Sequence, residues 1–281
     1  MIEKIPVLCS TGTFLGRVNN CDYRLVEKIC SSLDCEGFEL MMFERWRTGG
    51  DYQNILACFK QSGLRFLTVH AEKNIGGLIS SGDTEEAYEI FKTNCRTAVM
   101  MNAGIIVIHL WGYPGSDENF TQNMSAYKIL REISDYYGLI LAVENIPCTK
   151  SDPLSRHIEL RERYPDIKFT FDTRMAAFHK QLESVYSDTN YWKSVAHVHF
   201  SSFSGELCQW ERLSKILHPG EGEVNISLLF SHLYKNGYKG AVTLESPVMS
   251  ENGEDVEKLK RSLCILNETA EAIRNGGGYL Q

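Results

Sequence analysis

LILAVENIPCTKSDPLSRHIELRERYPDIKFTFDT, residues 139–173, holds two short apolar runs, LILAVENI (139–146) and FTFDT (169–173), each with a carboxylate near its end and an amphipathic stretch between them. Such runs are too uniformly apolar to face water on one side. They read as parallel strands covered by helices. The same pattern extends both ways along the chain: IPVLCST (5–11), GFELMM (37–42), RFLTVHA (65–71) and IIVIHLW (105–111) before it, VAHVHF (195–200) and AVTLES (241–246) after it. That makes eight strands, with helix signals between them.

Asp51 is placed to cap a helix with Ile55, Leu56 and Phe59 on one face and Gly63 at its end. Asp83 with Glu86 reads as a capping box on a helix closed by Gly104; Gly138 follows the next helix, and Asn225 opens one ended by Gly237. After the last strand, Val256, Leu259, Leu263, Leu266 and Ile273 recur at helical spacing. Eight strand–helix units of about 35 residues account for all 281 residues, the unit count and size of an α/β, (β/α)8 TIM barrel forming one domain over 1–281. A doubly wound open sheet is the alternative fold, but no strand leads through a G-x-G-x-x-G turn into a helix.

Composition narrows the function. Hydrophobic residues are 43% and charged residues 23%, an ordinary globular balance, and the net charge of −7 gives no general attraction to phosphate backbones or anionic membranes. No nucleic-acid partner is expected on that ground. No 18 apolar residues run together and the N-terminus lacks a signal-peptide core, so a soluble cytoplasmic protein is expected. The nine cysteines are odd in number, scattered and never spaced C-x-x-C, which fits free thiols rather than disulfides or a structural zinc cluster. A homo-oligomer is compatible with all of this.

Polar residues inside the strands gather near their C-terminal ends: Glu39, His70, His109, Glu144, Asp172, His199 and Glu245. In a barrel that end is the catalytic face. Side-chain alternation puts Gly37, Thr68, Val107, Ala142, Thr170, His197 and Thr243 one layer deeper on the same inward side. His197 reads as a hydrogen-bonded core residue. Several carboxylates in one concave, partly dry site repel and resist desolvation, and a bound cation relieves both. The donor set of carboxylates and imidazoles without thiolate suits one divalent ion, such as Mn, Zn, Co or Mg. Glu39 is either part of that site or a carboxylate that orients a neighbour. The long stretch at 201–224, with Trp210 and His218, is a candidate active-site loop, and Phe14, Trp46, Trp111, Tyr113 and Phe203 are candidate pocket aromatics.

GFEL, TVHA, VIHLWG, AVENI, FTFDT, HVHF, HPGEGEVN and GYKGAVTLE together resemble the xylose isomerase-like barrel superfamily, which includes sugar isomerases and epimerases and the type IV apurinic/apyrimidinic endonucleases. The resemblance spans nearly the whole chain. Likeness to the epimerases implies one metal ion held by Glu144, Asp172, His199 and Glu245, with Glu144 and Glu245 exchanging protons with carbon of a small carbohydrate substrate. His70, His109, Trp111, Arg174 and His218 are then the substrate-binding candidates. Likeness to the endonucleases implies a three-zinc hydrolase, for which His70, His109 and His218 also match. Where that branch has a histidine and an aspartate, however, this chain has Met175 and Ile216, which cannot supply those ligands. The strand-seven run HFSSF likewise lacks the lysine and aspartate that follow the histidine in many isomerase-like members. A non-catalytic metal- or sugar-binding barrel is the third reading.

Overall fold

The eight apolar runs form eight parallel strands: β1 (Val7–Ser10), β2 (Phe38–Met41), β3 (Phe66–His70), β4 (Ile105–Ile108), β5 (Ile140–Glu144), β6 (Lys168–Asp172), β7 (Val195–Phe200) and β8 (Val242–Leu244). Each pairs with the next, and β8 pairs with β1, closing a barrel in sequence order. The computed structural model describes residues 3–112 and 115–276. Tyr113 lies outside the described residues.

Helices cover the barrel on the outside, which is why the outward faces of the strands are apolar. Phe169, Phe171, Val198 and Phe200 are all fully buried on two neighbouring strands. Outward Phe169 stacks on the buried ring of His157, from the helix Pro153–Arg163, at a centroid distance of 3.9 Å. The last helix, Val256–Arg274, buries Leu259, Leu263 and Leu266 as its spacing predicts.

Helix punctuation is kept in part. Asn225 accepts from the Leu228 amide, and Gly138 follows its helix at φ 70°, where a side chain would be strained. Asp51 and Asp83 precede helices, but neither side chain caps one; the Asp83 carboxylate takes the Ser81 hydroxyl instead, so no capping box forms. Nor does Gly104 close its helix. That helix ends at Met100, and Asn102 turns the chain in the left-handed region at φ 56°. A two-stranded hairpin, Met249–Ser250 with Gly253–Glu254, follows β8 and has no counterpart in the sequence reading. All nine cysteines are free; five are buried and Cys264 is exposed.

Two ionic clamps hold the loops at the C-terminal rim. Buried Glu72, just beyond β3, takes two guanidinium nitrogens of Arg47 and the amide of Asn94. Buried Asp117, beyond β4, receives the amides of Thr149 and Lys150 and two nitrogens of Arg156, tying the β4 and β5 loops together. Burial works against the Asp117 charge, yet these donors hold its carboxyl at about 2.

Candidate metal centre

Strand register carries the polar side chains to one place. Glu144 lies opposite Thr170, so Asp172 stands two residues further up β6; Asp172 lies opposite His199, and His199 opposite Thr243, two residues below Glu245. Glu144, Asp172, His199 and Glu245 each offer one ligand atom, and these atoms all lie within 4.8 Å of one another. The first three are fully buried, while the Glu245 side chain keeps 12% exposure toward the barrel mouth.

Local structure aims each group. Asp172 ends β6 and caps the helix Thr173–Phe178, its Oδ1 accepting the Met175 amide at 2.8 Å. Its buried Oδ2 has no hydrogen-bond partner. Asn145 links the strand ends, its side chain bonding the amide and carbonyl of Asp172. The His199 ring is gripped from both sides. Nδ1 lies 3.2 Å from Glu144 Oε1 and 3.4 Å from Glu245 Oε2, and Nε2 lies 3.0 Å from Glu39 Oε2.

Beside this cluster, His70 Nε2 and His109 Nε2 lie 3.1 and 2.8 Å from the other Glu144 oxygen, and the two rings meet edge to face. His109 is held at the end of β4 by close packing. The neighbouring helix Ile75–Ser81 approaches through Gly76, where an added Cβ would lie 2.6 Å from the His109 and Trp111 carbonyl oxygens, and Asn123 bridges the carbonyls of Gly76 and Leu110.

The electrostatics are those of a site with more carboxylates than cations. Burial drives the Asp172 carboxyl up to about 7, reinforced by Glu144 and Glu245 and opposed by Arg174. Burial would likewise raise Glu144, but His109 and His199 outweigh it and leave that carboxyl well below the usual range. For His199, burial favours the neutral ring, yet Glu245, Glu39 and Glu144 prevail and hold its pKa well above the ordinary histidine value. Burial brings His109 down to about 4. Among the described residues, Glu39, Glu144 and Glu245 form ion pairs only with histidines, and Asp172 forms none. The unpartnered Asp172 oxygen, the convergent donors and the missing Lys or Arg partner fit a divalent cation.

Three of the predicted substrate contacts lie elsewhere. Trp111 does not line the mouth: its ring is fully buried against Phe120 and His157 on the outer helices. Alternation does not carry its side chain inward, because β4 ends at Ile108. His218 is also buried, its ring nitrogens engaged by Ser262 Oγ at 2.8 Å and the Pro247 carbonyl at 3.1 Å, which makes it a brace between the loop and the last helix. Arg174 sits in the first turn of a helix and donates to the Leu213 carbonyl, anchoring the loop after β7. Phe14, Trp46 and Phe203 are buried as well, while Trp210, half exposed on that loop and edge-on to Phe178, is the accessible aromatic there. Sequence reading left the role of Glu39 open and did not foresee that His70 and His109 share one oxygen of Glu144.

Comparison with known proteins agrees with this architecture. The xylose isomerase domain protein from Planctomyces limnophilus superposes with a TM-score of 0.68 at 15% identity, covering 96% of this chain and 97% of that one. The D-allulose 3-epimerase from Methylomonas sp. gives 0.66 at 16% identity, covering 98% of each chain. The IOLI protein with a bound zinc atom gives 0.70 at 12% identity, covering 99% of this chain and all of the other. At these identities the likeness is one of fold. No curated protein matches significantly. No helix among the described residues is long and apolar enough to cross a membrane. The family model for the xylose isomerase-like TIM barrel matches residues 28–268, most of the sequence, and the chain therefore belongs to that family.

Proposed function

We propose that the protein is a metal-dependent isomerase or epimerase of a small carbohydrate, working by proton transfer at a carbon next to a carbonyl. The observation that carries this reading is the convergence of Glu144, Asp172, His199 and Glu245 from four successive strands at the barrel mouth. When bound there, a divalent cation supplies Lewis acidity toward a carbonyl and an adjacent hydroxyl oxygen. The protein's share of the chemistry lies in its carboxylates. Glu144 is buried and kept ionised by His109 and His199, the charge state that a proton acceptor needs. Glu245 reaches the mouth and is bonded less heavily, which gives it the freer oxygen for returning a proton from another side. Dry walls around both strengthen every charge interaction with substrate.

Similar structures include a D-allulose 3-epimerase and an L-ribulose 3-epimerase, and a small ketose or related sugar is the substrate class we assign. The test is solvent deuterium: the protein loaded with Mn, Co or Zn should wash deuterium into the carbon beside the carbonyl of a ketose from a screened panel. Glu144→Gln and Glu245→Gln should abolish it. Retention of the exchange by both variants would refute the assignment.

One observation favours the hydrolase as a second reading. His70 Nδ1 bonds the Ala71 carbonyl at 2.7 Å, so the neutral ring presents a lone pair on Nε2 to the Glu144 oxygen, a gap that a proton or a second cation must bridge. Against it stand Met175 and Ile216 at the remaining ligand positions and the engagement of His218 elsewhere. Nicking of abasic duplex DNA by the zinc-loaded protein would favour the hydrolase.

A further inference from the structure

The interior of the barrel holds a second set of titratable groups beneath the proposed ligands. Glu39 from β2 is fully buried and has no Lys or Arg partner among the described residues. Its Oε2 collects three contacts: His199 Nε2 at 3.0 Å, Thr68 Oγ1 at 3.1 Å and His197 Nε2 at 3.4 Å. His197 is in turn bonded through Nε2 to Thr243 Oγ1 at 2.9 Å. Five side chains from four strands, β2, β3, β7 and β8, therefore meet on one carboxylate oxygen or on its histidine neighbour.

Burying a carboxylate in such a place is costly unless donors satisfy it, and hydrophobic residues of the same size would pack the layer without that cost. The geometry shows what the arrangement achieves. A neutral imidazole has one N–H and one lone pair, and the nitrogen that carries the proton is set by the partner of the other. In His199, Nε2 faces Glu39, whose oxygens can only accept, while Nδ1 faces Glu144 and Glu245 at the ligand cluster. Once a cation takes the place of the proton shared with Glu144 and Glu245, Glu39 keeps the remaining proton on Nε2 and the Nδ1 lone pair faces the cluster. Thr68, donating to the same oxygen, fixes the carboxylate against rotation.

Glu39, His197 and His199 also each offer a ligand atom within 4.8 Å of the others, close enough to share a cation. A cation there would need His199 Nε2 as its ligand, and the imidazole would then turn an N–H toward the carboxylates of the main cluster. Thr68 already donates to the oxygen such an ion would take. The hydrogen-bonded arrangement satisfies more of these groups, and we infer that Glu39 is a positioning residue for the metal centre: it sets the tautomer and orientation of His199 so that Nδ1, not Nε2, is offered to the cation. This inference rests on the reading of Glu144, Asp172, His199 and Glu245 as ligands and extends it to a residue outside that set.

The test uses zinc alone, with no sugar. Zn²⁺ affinity of the full chain, measured by competition with a chromophoric chelator, should fall roughly 10–100-fold in Glu39→Gln, the usual effect of removing a group that orients a metal-bound histidine, with the melting temperature of the metal-free protein as a check on folding. Long-range ¹H–¹⁵N spectra of the zinc-loaded wild type, in which the chain has eight histidines to assign, should show His199 protonated on Nε2 and metal-bound through Nδ1. This second readout needs no variant, so it decides the question even if Glu39→Gln fails to fold. Equal zinc affinity in a folded Glu39→Gln, or a wild-type His199 protonated on Nδ1, would overturn the inference while leaving the metal site itself intact. Failure of the wild type to bind zinc, cobalt or manganese would instead remove the metal reading, and this inference with it.

Discussion

Two kinds of buried carboxylate stand at the C-terminal end of the barrel. Glu72 and Asp117 are each matched by a guanidinium and by amide donors, and Asp117 is correspondingly a strong acid. Among the described residues Glu144, Asp172 and Glu245 have no guanidinium or ammonium partner; Asp172 is pushed up to about 7 by burial and by its two carboxylate neighbours. The first group shows that this fold can satisfy a buried carboxylate from its own chain. The second is left short of positive charge where the strands converge, and that shortage is the mark of a site built to take a cation from solution.

The comparison breaks most sharply under mutation. Glu144→Gln or Asp172→Asn should lower divalent-metal affinity more than 100-fold by isothermal titration, a loss on the order of 3 kcal/mol or more. Asp172→Asn should also stabilise the metal-free protein at pH 8. The folded carboxyl titrates near 7 against an unfolded value near 3.8, so the folded state is penalised increasingly as pH rises through that window and fully above it. Removing the charge while keeping the acceptor for the Met175 amide should raise metal-free stability by roughly 1–4 kcal/mol in chelator-treated melts. A drop in stability would place Asp172 with the structural carboxylates.

Asp117→Asn should do the reverse. It leaves Arg156 with only its more exposed partner Glu159 and weakens the tie between two loops, costing roughly 1–3 kcal/mol in denaturant unfolding, with metal affinity unchanged within about twofold. A smaller effect follows from pH. A cation entering the centre must displace the proton that His199 holds above its ordinary range and the one on Asp172, so metal affinity should climb as pH rises through about 7 and keep climbing for as long as His199 remains protonated. An affinity independent of pH between 6 and 8 would show that these groups do not bind the ion. Least perturbing is Trp111→Phe, which should lower the melting temperature by a few degrees through lost packing and leave KM for any substrate found unaltered, since the ring lies under the outer helices.

The fold was legible because strands packed under helices carry an apolar outward row, and eight such largely apolar runs separated by helix-length stretches leave few alternatives. Helix ends were less so: Asp83 reads as a cap but bonds Ser81, because either partner satisfies a carboxylate and only the folded backbone decides. The four proposed ligands were legible as polar residues at strand ends. Contacts between strands were not, since they depend on register, and the register shifts at Phe38/Glu39 and again at Phe169/Thr170. Those shifts lie beside Glu39 and Asp172, so sequence could place both residues on the inward face without revealing which neighbours they meet. Trp111 and His218 lie beyond regular strands, where alternation no longer predicts direction.

The most direct test of the central claim is anomalous diffraction at the zinc edge from crystals of the zinc-loaded protein. A strong peak is expected about 2.1 Å from one atom each of Glu144, Asp172, His199 and Glu245, the His199 contact being Nδ1. A map with no peak among those four side chains, or with density only at other residues, would contradict it.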